Sequence, residues 1–448
     1  MLTVNEAQDR VAHIVEAARK AGADAADAIY YCDASTSVSM RLGALEDVSR
    51  SEGEGISLRL FVGHRSASVS STDMEREKLD ALVDRAYAMA REAPEDPYAG
   101  LAPEDRLLCE APRDLDLDDG SEADPEGLRQ RALEAEDAAR AVKGVTNSEG
   151  GSAGHSRTRL AIATSTGFTG GYGTSGHSTS ASVLAGEGSA MQRDYDWHSA
   201  HYLSDLGTAE KIGTRAGERA VAKMNPARMS SGAMPVLFDP RIGSTFVSAL
   251  IGAISGSAIT RRTSFLLDRL GEQVFAPGIT IVDDPYRARG LRSRPFDGEG
   301  LPVAAGRLID HGVLTSWLLD SASARQLGLQ PTGHATRGLG GAPGVGTGNV
   351  HIEPGQRTPA ELMADVATGV YVTELMGHGL NAVTGDYSIG ASGFRITGGV
   401  IGEPVAEFTI AGNMKDMFLD LAAANDLEFR FGTNVPTLRT DSMTVASG

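Results

Sequence analysis

The sequence is short of the residues that staple, insert or coat. Two cysteines, Cys32 and Cys109, are too few for a disulfide framework and fit a reducing compartment. No run of about 18 apolar residues is present to span a bilayer, and the opening MLTVNEAQDR has no apolar signal core. Basic residues are in deficit, 41 Lys and Arg against 59 Asp and Glu, for a formal charge of −18. Coating a nucleic acid needs concentrated positive charge, so the balance opposes that role. These absences lead to an expectation of a cytoplasmic protein with neither membrane nor nucleic acid as partner. What is abundant is glycine, at 54 residues, which suggests many turns and close backbone approaches. With 41% hydrophobic residues over 448 positions, the chain can bury the cores of two or three domains.

In order along the chain, Asn5 reads as the cap of a helix with Val11, Ile14, Val15 and Ala18 on one face. Alternation at Val38, Met40 and Leu42, at Ile56, Leu58 and Leu60, and at Ala67 and Val69 reads as strands. Asp73 is placed to cap a second helix through Leu79, Leu82, Val83 and Ala86. The acidic run Asp114 to Asp124 reads as a solvated connector, and Asp124-Pro125 opens a third helix. Ser148 to Gly188 is rich in Gly, Ser and Thr and is expected to form several short strands. A helix over Asp205 to Lys223 leads to a boundary at Asn225-Pro226. The fold class expected is therefore α+β. Residues 1–228 form an antiparallel sheet covered by helices (1–112 a helix–meander–helix, 113–228 a central helix with Gly/Ser-rich strands). Residues 229–448 form a strand-rich C-terminal domain.

In that second part the pattern predicts a strand at Pro235 to Phe238 and a helix capped by Asp239-Pro240 with Ile242, Phe246, Leu250 and Ile254 buried. Further elements are a strand at Ile279 to Val282, a hairpin over Gly306 to Leu318, a Gly-rich loop from Thr332 to Gly348, a helix from Pro359 to Thr368 and a strand at Val370 to Glu374. The stretch Gly385 to Met417, GDYSIGASGFRITGGVIGEPVAEFTIAGNMKDM, begins as loop through Gly390 and Gly393. Strand then runs through Phe394 and Ile396 and turns at Gly398-Gly399. Pairing is expected to break at Pro404, a third extended run covers Val405 to Ile410, and Asn413 caps a helix.

Several constellations invite chemistry. Gly150 to Gly154 matches G-x-S-x-G around Ser152, but a nucleophile elbow follows a strand and opens a helix, so a chance match is favoured. His198 and His201 lack the Glu that HExxH requires and are better read as surface or core histidines. GGAPGVGTG, residues 340–348, lacks the GK[ST] ending of a phosphate cradle. It reads equally as a substrate- or partner-facing loop or as plain surface. Asp283-Asp284 offers paired carboxylates, although a turn at Asp284-Pro285 is the simpler account.

The Gly385–Met417 motif, together with ITIVDDP, LLDSASARQLGLQPTGHATRG and the helix–meander start, resembles the TldD/PmbA family over essentially the whole chain. The resemblance implies a peptidase made of two related subunits. A TldD type carries an HExxxH zinc helix and a later cysteine ligand; a PmbA type, also called TldE, lacks them. Such a heterodimer cleaves peptides and unfolded segments, including ribosomally made precursors. Here the helix after Asp239 places Ser248, Ala249 and Ala253 at the His, Glu and second His, and no cysteine follows Cys109. Serine and alanine offer zinc neither imidazole nor carboxylate. The resemblance thus implies a PmbA-type subunit with no metal of its own, a TldD-type partner holding the zinc, and a homodimer as an option when that partner is missing. Gly385, Asp386, Tyr387, Ser388, Gly393, Phe394 and His334 are the positions it marks as facing substrate or partner. Two rival readings are a stand-alone homodimeric hydrolase using Ser152 or Asp283, and a non-enzymatic binding protein of the gyrase-modulator type.

Overall fold

The computed structural model describes residues 1–447. Its N-terminal half is built on β1 (Ala25–Arg41), β2 (Ala44–Val62), β3 (Arg65–Ser71), β4 (Val145–Thr164), β5 (Thr169–Ala185) and β6 (Gln192–Ala200). They form one antiparallel sheet in the order β3-β2-β1-β4-β5-β6. Helices α1 (Val4–Lys20) and α2 (Arg76–Glu92) bury Val11, Ile14, Leu79 and Leu82 against Tyr30, Ile56, Leu58 and Leu60. A second pair, α3 (Pro125–Ala141) and α4 (Ala209–Ala222), covers the β5 side with an alanine-based core of Ala135, Ala139, Ala216 and Ala220. These two helices meet almost backbone to backbone, since a Cβ at Gly213 would lie 2.0 Å from the Ala135 carbonyl oxygen. Glu136 of α3, fully buried, accepts from the Leu42 and Gly43 N–H groups at 2.7 and 3.0 Å and so clamps the β1–β2 turn.

Local signals misplace several boundaries. The first helix is capped by Thr3, not Asn5: Thr3 Oγ1 accepts from the Glu6 N–H while the Glu6 carboxylate accepts from the Thr3 N–H, a capping box. Asp73 accepts from the Glu75 N–H in a turn, and the second helix starts only at Arg76. The Gly/Ser stretch forms two long strands instead of several short ones, because β4 and β5 find partners along both edges. Gly151 is one reason: a Cβ there would meet the Ala132 carbonyl oxygen at 2.2 Å, so glycine lets α3 lie against β4. The acidic run is a packed strap, not a solvated connector. Leu115 and Leu117 are buried, Asp118 pairs with Arg157 at 3.3 Å, and Asp119 lies 2.7 Å from His177. The fourth helix is shorter than expected, opening at Ala209 under a Thr208 cap.

The C-terminal half holds two main sheets that share a core. The larger follows the order Ala422–Ala423, Leu438–Thr440, Val236–Phe238, Thr368–Met376, Asp386–Thr397, Val400–Asn413, Met443–Ser447, Gly232–Ala233. The smaller follows Val313–Leu314, Gly306–Asp310, Ile281–Asp284, Asn349–Ile352, Thr433–Asn434. Helix α5 (Pro240–Ile254) packs Phe246 and Leu250 into the core they share with Phe238, Phe275, Ile281 and Phe418. The helix expected over Pro359 to Thr368 ends at Met363, and the strand begins at Thr368, within its predicted span. The Ile279 strand is displaced by two residues, to Ile281–Asp284. The Gly-rich loop carries a short antiparallel pair, Ala335–Thr336 with Gly344–Val345. No helix among the described residues is long and apolar enough to cross a membrane.

Candidate functional site

Helix α5 is well started: Asp239 Oδ1 accepts from the Arg241 N–H at 2.9 Å, and Pro240 occupies the first helical position. Along it, Ser248 is exposed whereas Ala249 and Ala253 are buried. A rise of one turn per 3.6 residues puts 249 and 253 on one face, and that face lies in the core with Phe246, Leu250 and Ile254. None of these three positions offers zinc an imidazole, thiolate or carboxylate, and among the described residues no group of three His, Cys, Asp or Glu side chains is placed to hold a metal. The residues present do not fit a zinc ion. Installing a ligand is costly as well: Ala253→His is expected to lose about 1–3 kcal/mol by overpacking, read as an earlier urea midpoint, without restoring zinc binding.

An ion network fixes the start of α5 against the N-terminal half. Asp194 of β6 lies 3.0 Å from Arg241 and 2.9 Å from Lys223, and Lys223 reaches Glu374 at 2.8 Å. Burial alone would push the Asp194 carboxyl up; Arg241 and Lys223 outweigh it and hold the group below the usual carboxylate range. A cavity of about 310 Å³ beside this network is lined by Arg215, Arg219, Asp239, Arg241, Glu428 and Arg430.

The Gly385–Met417 motif is a hairpin, and its first part is strand where loop was expected. Asp386–Thr397 pairs with Val400–Asn413 across Gly398-Gly399, whose φ values of 57° and 79° suit a tight left-handed turn. Pro404 sits opposite Phe394 and does not end the second strand, so the separate third run is part of it. The period of two then sorts the candidates. Tyr387 points into the core, Gly393 is buried, Asp386 and Ser388 face out, and Phe394 is half-buried. Burial pushes the Tyr387 hydroxyl up to about 12. Asp386 accepts from Thr384 Oγ1 at 2.7 Å and Asn413 Nδ2 at 3.0 Å, bonds that lower its pKa. Gly385 precedes the strand at φ 85°. Asn413 caps the following helix as expected, accepting from the Lys415 N–H.

His334 lies apart from this hairpin, with Nε2 3.2 Å from Asp283 and Nδ1 2.8 Å from Thr332 Oγ1. The Thr332 hydroxyl is tied to Leu319, accepting from its N–H at 2.9 Å and donating to its carbonyl at 3.3 Å, so the trio offers no free nucleophile. Asp283 is buried and Asp284 points the other way, accepting from the Tyr286 N–H at a turn, so the two are not a carboxylate pair. Ser152 sits mid-strand between Ser39 and Ser180, far from an elbow geometry. His198 accepts from the Gly207 N–H, and His201 bridges the Ser175 and Gly290 carbonyls.

Sequence reasoning missed Glu299, which is buried and accepts from the Ser321 N–H and hydroxyl at 2.8 and 2.7 Å. No periodicity marks it, because it lies in a loop buried by both halves of the chain. Burial, then repulsion from Asp297, pushes its carboxyl up to about 7. A raised folded-state pKa means a contribution that is fully present below the unfolded value of 4.5 and is lost as pH rises through about 7. Thermal unfolding at about pH 5 and about pH 8 is expected to show that loss, and Glu299→Gln to flatten it.

The chain matches the family models described as PmbA/TldA metallopeptidase domain 1 over residues 26–90, central domain over 118–224 and C-terminal domain over 231–447. It belongs to the PmbA/TldD family. Among its relatives, Metalloprotease PmbA of Escherichia coli O157:H7 is 37% identical over 92% of this chain and 89% of its own length. A PmbA homologue of Haemophilus influenzae is 33% identical over 98% and 96%. A Bacteroides thetaiotaomicron structure described as a candidate modulator of DNA gyrase superposes with TM-score 0.92 at 27% identity, covering both chains fully. TldE of Thermococcus kodakarensis, at 22% identity and TM-score 0.87 over 98% of this chain and all of its own, shares the fold. Both the α+β architecture and the strand-rich C-terminal half are therefore those of PmbA/TldD proteins.

Proposed function

We propose that this PmbA/TldD protein is the zinc-free, PmbA-type subunit of a two-chain cytoplasmic metallopeptidase acting on peptides and unfolded segments, ribosomal peptide precursors among them. The observation that carries this reading is α5: a well-capped helix in the metal-helix position with Ser248, Ala249 and Ala253 where donors would stand. A TldD-type partner supplies the zinc, and this chain supplies walls that orient the substrate and keep bulk water out. The outer part of β2 suits such a partnership. Beyond its pairing with β1, Ala44 to Gly55 has no second neighbouring strand among the described residues, and Leu42 of the adjoining turn, Leu45 and Val48 are each more than half exposed. An open strand edge with apolar side chains is a template for another chain.

Co-expression with a TldD-type protein tests the reading. The expected result is a stable complex by size exclusion, zinc confined to the partner by elemental analysis, and cleavage of an unfolded substrate such as reduced casein only when both chains are present. Stoichiometric zinc and peptide cleavage by this chain alone overturn it.

A further inference from the structure

Where β4 and β5 meet the C-terminal half, Leu160, Tyr172, Phe296 and Thr336 line a half-open cavity of about 130 Å³ together with Arg294, Arg337 and Asp297. A second space of about 300 Å³ adjoins it and shares Leu160, Tyr172 and Arg294. Both cations are withdrawn from solvent, Arg294 at 9% exposure and the Arg337 side chain at 1%. Neither is satisfied. Arg294 donates from Nη2 to the Gly346 carbonyl at 2.9 Å but leaves Nε without a partner. Arg337 donates from Nη1 to Asp27 and leaves both Nε and Nη2 without one. A buried N–H left unpaired costs about 1–3 kcal/mol, and more on a charged group, so three on two cations in the wall of one small space ask for an acceptor.

The carboxylates nearby do not supply it. Asp27 is shared between Arg337 and Arg59. Asp297 lines the cavity, yet its oxygens accept from the backbone N–H groups of Glu299, Leu301 and Ala335. Burial, only partly offset by these bonds, also raises its pKa. Among the described residues Arg337 is paired with Asp27 whereas Arg294 is in no ion pair, and the apolar walls favour carbon beside an incoming anion.

We propose that Arg294 and Arg337 form a binding site for a carboxylate carried on a peptide, either its C-terminal group or an acidic side chain, with Leu160, Tyr172 and Phe296 packing the adjoining carbon atoms. The planar fork of a guanidinium matches two carboxylate oxygens, which a single-point cation does not. A singly charged group suits the one guanidinium without an ion pair and the size of the cavity better than a phosphate ester. That the carboxylate belongs to a peptide rests on the proposed function; the anion chemistry rests on the cavity alone.

Fluorescence anisotropy on the isolated full-length chain tests this with three fluorescein-labelled Gly-Ala-Ser peptides: a free C-terminal acid, its C-terminal amide, and the amide carrying one internal Glu. The free acid is expected to bind at least about tenfold more tightly than the neutral amide, as for hydrogen bonds to charged groups. Tight binding of the Glu-containing amide identifies a side-chain carboxylate, and weak binding of it identifies the terminus. Arg294→Gln, which retains a donor for Gly346, is expected to abolish the preference while the melting temperature is held. Arg337→Gln should do the same, and if it fails to fold the Arg294 variant decides. Equal affinity for all three peptides, including no detectable binding of any, overturns the proposal, as does a preference that survives Arg294→Gln. No partner is needed, so failure to isolate a TldD-type complex leaves this measurement standing, and loss of the acid preference leaves that complex untouched.

Discussion

Asp27→Ala is expected to destabilise the protein by about 3–5 kcal/mol, because it strands two buried guanidinium groups at once. The Asp27, Arg59 and Arg337 side chains are 4%, 7% and 1% exposed. Asp27 Oδ2 accepts from Arg59 Nε at 3.0 Å and Nη2 at 2.5 Å, and Oδ1 accepts from Arg337. Asp27→Asn keeps the shape and loses the charge, so it should cost nearly as much, which separates electrostatics from packing. The link also joins β1 to a loop about three hundred residues away, and its loss is expected to reduce the cooperativity of urea unfolding. Burial pushes the Asp27 carboxyl up, but Arg337 and Arg59 together hold it below the usual range. A depressed folded-state pKa gives stability that is present above the unfolded value and lost as pH falls through the folded one. The wild type should therefore lose stability on the acid side, while Asp27→Ala starts lower and responds less. Equal melting temperatures of the two proteins at neutral pH exclude this account.

Gly393→Ala is expected to cost about 3 kcal/mol, an overpacking penalty at its upper end. A Cβ at Gly393 would stand 2.0 Å from the Tyr371 carbonyl oxygen and 2.8 Å from the Val372 Cα. Both are backbone atoms of the adjoining strand, so no rotamer change relieves the clash. Register is already irregular there, between Val372 and Glu374. Gly390→Ala provides the control: its nearest neighbour is the Met376 carbonyl oxygen at 3.5 Å, an ordinary contact, and the change should lie within about 0.5 kcal/mol. Chemical denaturation of the two variants checks the contrast. A large loss at Gly393 alone assigns that glycine to close strand packing.

Legibility followed how local each feature is. The Asp239-Pro240 start of α5, the Gly398-Gly399 turn and the Asn413 cap were readable, because each depends on a few adjacent residues. Thr3-x-x-Glu6 is equally local, yet the expectation fell on Asn5, two residues further on, and passed over this capping box. The Gly/Ser segment misled for another reason. Gly151 and its neighbours carry weak strand propensity, and their strand state comes from partners on β1 and β5. The buried strap at Leu115 and Leu117 was hidden beneath its aspartates, which tertiary contacts neutralise.

By itself the sequence determined the chemistry each position can offer: the family motifs, the helix–meander start, and serine and alanine at 248, 249 and 253. Side-chain identity is a local property and needs no fold to be read. Only the tertiary structure decided which charges meet and which are left over. It brought Asp27, Arg59 and Arg337 into one desolvated cluster, buried Glu299, and left Arg294 and Arg337 short of acceptors in a shared cavity. Desolvation and pairing depend on distances through space between residues far apart in the chain, and no local periodicity carries that information.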